Sequence, residues 1–104
     1  MKQNRIFSLL GLATRSRNLV SGEFMTEAKV KRGEAVLVIV GEDASENTKK
    51  KFRNMCEFYQ VPLFFYGTRE ELGHALGKEL RASLAVTDEG FAKSLKKMLE
   101  EERR

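Results

Sequence analysis

Chemistry in water needs a nucleophile, an acid–base pair or a bound metal, and this chain offers few candidates for any of them. It holds one histidine, His74, and one cysteine, Cys56. Zinc-type sites draw on several histidine, cysteine or carboxylate ligands, so this pair sets up no metal constellation. Cys56 is flanked at helical spacing by Phe52 and Tyr59, which reads as a buried thiol acting as a small hydrophobe. A nucleophilic role would need a base beside it, and His74 has no evident link to it. His74 lies in Leu72-Gly-His-Ala-Leu-Gly77, where a plain surface or boundary position on a short helix is expected. Gly73 and Gly77 lack the Gly-x-x-x-x-Gly-Lys-Ser/Thr pattern and the preceding strand of a phosphate loop. Glu42 and Asp43 follow a long apolar run, and loops at strand C-termini often carry function in open α/β sheets. Acids beside a helix N-terminus are also favourable local electrostatics, and that reading is preferred. No catalysis, cofactor, metal or small-molecule substrate is expected, and a nucleotide-processing enzyme would have only Glu42 and Asp43 to offer.

The cations are more numerous. Lysine and arginine total 19 against 15 acids, a formal charge of +4 with a pI near 9.4, which mildly favours an acidic partner. They fall into four groups: Arg15 with Arg17; Lys29 with Lys31 and Arg32; Lys49, Lys50 and Lys51 with Arg53; and Lys93 with Lys96 and Lys97. The last reads as the solvated side of an amphipathic helix. Lys49 to Lys51 occupy the opening turns of their helix, where the dipole disfavours cations; that placement hints at a functional need. About half a helical turn separates them, so not all three can face one ligand.

The elements that must position these residues alternate between two periods. Asn4 suits an N-cap ahead of Ile6, Leu9, Leu10 and Ala13. A short extended stretch at Leu19-Val20 leads to Ser21, a cap for a helix from Gly22 to Arg32, with Gly33 as its C′ glycine. Ala35 to Val40 is continuously apolar, the habit of a strand covered on both faces. Ser45 caps a helix whose apolar face is Phe52, Met55, Cys56 and Tyr59, and Pro62 blocks its continuation. Leu63 to Tyr66 is a second strand. Thr68 and Glu71 form a capping box for a short helix carrying Leu72, Ala75 and Leu76. Ser83 to Val86 is a third strand, and Asp88 caps a helix with Phe91, Leu95, Met98 and Leu99 on one side. The tail Glu100 to Arg104 is expected to fray. Strands alternating with helices imply a single-domain α/β protein over residues 1–104, a three-layer α/β/α sandwich. Its small mixed sheet of about four strands carries helices on both faces. With one cysteine, no bilayer-length apolar run and no cleavage-site pattern after Met1-Lys2-Gln3, the expected compartment is the cytoplasm, with no membrane partner.

Two stretches carry a resemblance. One runs Leu19-Val-Ser-Gly-Glu-Phe-Met-Thr-Glu-Ala-Lys-Val-Lys-Arg-Gly33 into Glu-Ala-Val-Leu-Val-Ile-Val-Gly-Glu-Asp-Ala44; the other joins Cys56-Glu-Phe-Tyr-Gln-Val-Pro-Leu63 to Glu70-Glu-Leu-Gly-His-Ala-Leu-Gly-Lys78. Together they resemble the kink-turn-binding ribosomal protein family (large-subunit, seven-Ae type), nearest its small bacterial YlxQ-like branch, which Ser45-Glu-Asn-Thr-Lys-Lys-Lys51 resembles in particular. The resemblance implies a non-catalytic, ribosome-associated protein binding kinked or otherwise structured RNA, ribosomal RNA included. It further implies contacts from Arg17, Ser21, Gly22, Glu23, Phe24 and Met25, from the turn at Glu42, Asp43 and Ala44, and from Lys78, Leu80 and Arg81. In the family the helix after the Gly22 position enters the RNA groove, and the loop matching Gly77 to Ala82 covers a splayed-out base with apolar side chains such as Leu80. A helix N-terminus suits phosphate, since its N–H groups are free.

The chain also departs from that pattern. Where the family reads Gly-Thr-Asn-Glu with a lysine three residues on, this chain has Gly22-Glu23-Phe24-Met25 and Ala28. The amide and carboxylate that would read guanine edges are replaced, at roughly 1–3 kcal/mol of discrimination each. Phe24 is able to stack on a base, an interaction worth about 1–3 kcal/mol, or to pack inside; packing is the preferred reading for Phe24 and Met25. An alternative function, a protein-interaction module on the same scaffold, requires both to be exposed.

Overall fold

The capping residues read from the sequence act mostly as expected. In the computed structural model, which describes residues 4–102, the Asn4 side chain accepts from Phe7 N and opens α1 (Arg5–Arg15). Ser45 accepts from Thr48 N at the start of α3 (Glu46–Tyr59), and Thr68 and Glu71 close a full capping box on α4 (Arg69–Ala75). Asp88 accepts from Phe91 N ahead of α5 (Glu89–Glu102). Each such cap satisfies an orphan amide and is worth about 1 kcal/mol. Glu100 to Glu102 continue α5 instead of fraying, while Arg103 and Arg104, like Met1 to Gln3, lie outside the described residues.

Ser21 is the exception. It ends β1 (Leu19–Ser21), paired with Leu84, and the N-cap of α2 (Glu23–Lys31) is Gly22 at φ 95°. The chain turns from strand into helix within one residue, which demands a positive φ that only glycine adopts readily. Ser21 Oγ is thus free for another partner, and α2 starts without a side-chain cap. At the other end of α2, Gly33 takes the left-handed conformation expected of it, at φ 74°.

The remaining strands are β2 (Leu37–Val40), β3 (Leu63–Phe65) and β4 (Ser83–Val86), in the order β1-β4-β2-β3. β2 and β3 are parallel, and β4 runs antiparallel between β1 and β2. The sheet is therefore mixed, with β2 and β4 inside and buried at every residue. Both β2 and β3 are shorter than the apolar runs that contain them, although Val36 N still bonds Val86 O and Tyr66 N bonds Val40 O.

Alternation along β2 divides the core. Leu37 and Ile39 join Phe64, Leu84 and Val86 in packing against Ile6 and Leu10 of α1, Leu72 of α4 and Leu95 and Leu99 of α5. Val38, Val40 and Ala85 face Val30 of α2 and Phe52 and Cys56 of α3. Three helices cover one face and two the other, the α/β/α sandwich expected. Burial pushes the Cys56 thiol up to about 11, as befits a hydrophobe. Two aromatics on α3 point away from the core. Phe58 is 78% exposed and packs edge-to-face on the more exposed than expected Tyr59.

Candidate nucleic-acid interface

The antiparallel insertion of β4 brings the ends of β1 and β2 and the start of β4 to one end of the sheet. Gly22 N donates to Ser83 O at 2.9 Å and Gly41 N to Ala82 O at 2.9 Å. The turn from Gly22, the turn at Glu42 to Ala44 and the loop from Gly77 to Ala82 are thus stitched together by backbone bonds. Eleven of the twelve candidate residues lie on these three segments or border them.

The start of α2 is fixed from below. Thr26 and Ser83 are both fully buried, and Ser83 Oγ lies 3.3 Å from Thr26 Oγ1. The first intrahelical bond runs from Thr26 N to Gly22 O, so the amides of Glu23, Phe24 and Met25 precede the helical ladder. Neither Thr26 nor Ser83 was marked by the sequence; a threonine among apolar helical positions and a serine opening an apolar strand were the available signals.

The turn after β2 is fixed from the side. Glu42 N donates to Gly67 O at 2.7 Å, and Asp43 Oδ1 accepts from Arg69 N at 2.8 Å, with Arg69 Nε 3.5 Å from Asp43 Oδ2. The Arg69 amide, then its guanidinium, hold the Asp43 carboxyl below the usual carboxylate range. Asp43 thus serves the start of α4, the electrostatic role preferred from sequence. Ala44 is buried among the α2–α3 residues and supports the turn.

The loop is fixed from beneath. A Cβ on Gly73 would stand 2.4 Å from Glu79 O and 2.8 Å from Leu80 N, so only glycine lets the loop lie on α4. Lys78 N bonds Gly73 O at 2.7 Å and Arg81 N bonds Arg69 O at 3.1 Å. The Arg81 side chain spans the gap to β1, donating from Nε to Ser21 Oγ at 3.0 Å and from a terminal nitrogen to Leu80 O at 2.8 Å. Leu80 is left 55% exposed at the tip.

Phe24 and Met25 correct the expectation of packing: Phe24 is 81% exposed and Met25 41%. The inward face of α2 is taken by Thr26 and Val30, so residues 24 and 25 turn outward. Arg17 is the other departure. It precedes β1 while Gly22 follows it, and Leu19 pairs with Val86 at the far end of β4. The chain from Asn18 to Gly22 spans roughly 13 Å at about 3.3 Å per residue, so Arg17 lies at the opposite end of the sheet. A shallow groove of about 400 Å³ on that side, lined among others by Val36, Pro62, Lys93 and Lys96, shares no residue with the convergent end.

Charge at the convergent end is largely compensated. Lys51 Nζ lies 2.6 Å from Glu27 and 3.4 Å from Glu23, Lys31 lies 2.7 Å from Glu27, and Arg69 faces Asp43. Among the described residues, Lys78 and Arg81 then stand without an ion pair against Glu42 and Glu79. Hydrogen bonds from Lys31 and Lys51 hold the Glu27 carboxyl below its ordinary range, and the bond to Glu27 raises Lys51. No group of three or more metal-capable side chains occurs among the described residues, and no described helix is long and apolar enough to cross a membrane.

Known proteins share this arrangement. A sequence model of the ribosomal protein L7Ae/L30e/S12e/Gadd45 family matches residues 4–96. The chain is 46% identical over 94 residues to the RNA-binding protein YlxQ of Bacillus subtilis (strain 168), covering 90% of this chain and 94% of that protein. It is 38% identical over 98 residues to the YlxQ of Enterococcus faecium, covering 94% of each. A solved Bacillus halodurans protein of unknown function superposes with a TM-score of 0.91 at 40% identity, over 94% of this chain and 99% of that one. A 15.5 kD RNA-binding protein of Giardia lamblia shares the fold, with a TM-score of 0.77 at 18% identity over 97% of this chain and 90% of that one. By sequence over nearly its whole length and by the sandwich it folds into, the chain belongs to the ribosomal protein L7Ae/L30e/S12e/Gadd45 family.

Proposed function

We propose that this chain is a non-catalytic RNA-binding protein that takes structured RNA on the convergent end of its sheet. The observation that carries this reading is the convergence of an uncapped helix start with exposed apolar side chains. The amides of Glu23, Phe24 and Met25 are suited to a phosphate oxygen, Phe24 and Leu80 offer apolar surface to unstacked bases, and Arg81 and Lys78 flank them. The name RNA-binding protein carried by its relatives supports the same reading. Because Phe24 and Met25 stand where hydrogen-bonding readers of a kink would stand, recognition rests on stacking and backbone contact more than on base edges. Preference for RNA with unstacked nucleotides, ribosome association and cytoplasmic residence belong to the same proposal. Filter-binding titration of a kink-turn RNA against a straight duplex, at two salt concentrations, tests it. The expected result is tighter binding to the kinked RNA, weakening steeply with salt as counterions return; equal, weak affinity for both would sink the structure-selective reading.

A second reading, a protein-interaction module, is favoured by the same exposure of Phe24 and Met25 and by the Phe58–Tyr59 pair on α3. The substitution Phe24→Ala separates the two. On the RNA reading it costs up to ~1–3 kcal/mol of RNA affinity, and on the protein reading RNA affinity is unchanged.

A further inference from the structure

A carboxylate on the first residue of a helix is drawn to the positive end of that helix, where it competes with any other anion for the free amides. Glu23 is that residue in α2. Lys51, reaching across from α3, lies 3.4 Å from Glu23 Oε1 and 2.6 Å from Glu27 Oε1. Glu27 has a second lysine, Lys31, at 2.7 Å, whereas Glu23 has no other ion pair among the described residues. Removing Lys51 would therefore leave Glu27 compensated and release Glu23. Two lysines against two carboxylates make the cluster formally neutral, and loss of one lysine leaves a net negative charge beside the helix start.

We infer that Lys51 is a positioning residue for RNA: it holds Glu23 against α3 and away from the α2 N-terminus, so that the amides of Glu23, Phe24 and Met25 stay open to a phosphate. This rests on the RNA-binding reading above. The clasp works through Glu23 and has no need of contact between Lys51 and the RNA.

A double-mutant cycle on the full chain tests the inference. It uses Lys51→Ala, Glu23→Gln and the pair combined, with the kink-turn RNA as probe, binding read by fluorescence anisotropy at two salt concentrations, and melting curves to confirm folding. Lys51→Ala in the wild-type background is expected to weaken binding about three- to fivefold at low salt, the scale of an exposed charge interaction. In the Glu23→Gln background the same substitution is expected to cost nothing measurable. A loss that persists there, with the salt slope falling by about one charge, makes Lys51 a direct phosphate ligand and overturns the inference. No loss in the wild-type background overturns it too. Failure of the unaltered protein to bind any RNA overturns the RNA reading, and this inference with it.

Discussion

At the scale of single residues, two glycines and one carboxylate decide how the convergent end is built. Gly73 admits the loop backbone onto α4 where a Cβ would meet Glu79 O at 2.4 Å. In Gly73→Ala the backbone of Glu79 and Leu80 must move, since the blocking atoms are main chain and not the end of a flexible side chain. The expected outcome is a lowered melting temperature together with weaker RNA binding, measured by calorimetry and titration. Gly22 meets no atom that a Cβ would strike, and its requirement is the positive φ alone. Asp43 links the β2 turn to α4. Its folded pKa is depressed, so its contribution to stability is present above the unfolded value and lost as the pH falls through the folded one. The difference in melting temperature between wild type and Asp43→Asn is expected to hold at neutral pH and to fade as the pH falls below about 4; a difference independent of pH would contradict this.

At the scale of elements, caps determine where helices begin and therefore where the loops between them lie. The Thr68–Glu71 box starts α4, and α4 carries Gly73 beneath the loop from Gly77 to Ala82. Thr68→Ala is expected to cost about 1 kcal/mol of stability, read from the shift of the denaturation midpoint, while leaving RNA affinity nearly unchanged. It removes a cap without touching the loop contact. α2 is the contrasting element, because it begins on a glycine with no side-chain cap. It relies on the Gly22–Ser83 backbone bond and the buried Thr26–Ser83 pair to hold its first turn. The end left open to a ligand is thus the end that tertiary contacts must anchor.

At the scale of the whole molecule, one sheet separates two cores, and each must be filled to keep the loops in register. Phe52 is fully buried in the α2–α3 core against Val38 and Val40. Phe52→Ala is expected to cost about 3–5 kcal/mol, a large share of the ~5–15 kcal/mol that a domain of this kind possesses. Chemical denaturation would show it as a lowered midpoint. Loss on this face moves α2 and α3 together, so RNA affinity falls along with stability, unlike the response to Thr68→Ala.

The fold was largely legible because its signals are local. The caps at Asn4, Ser45, Thr68 and Asp88, the apolar run to Val40 and the helical stripe of Phe52 and Cys56 each lie within a few residues, and each element formed close to where it was read. The candidate site was legible as a set of segments, through the resemblance, but not as an arrangement. Periodicity along α2 says that Phe24 and Met25 lie on some face; which face is covered depends on Thr26 and Val30 meeting β4 and α3, sixty or fewer residues away in sequence but adjacent only in the folded chain. Ser21 was read as a cap because serine commonly is one, yet β1 pairing took its backbone and Arg81 took its hydroxyl. Arg17 stands close to Gly22 in sequence, and the extended β1 carries them to opposite ends of the sheet. The amino-acid sequence alone thus determined the elements and their order. The antiparallel placement of β4 between β1 and β2 decided the rest: which loops meet, that Lys51 faces Glu23, and that Phe24 and Leu80 stand in solvent. Those contacts join residues far apart in the chain, and only tertiary packing sets them.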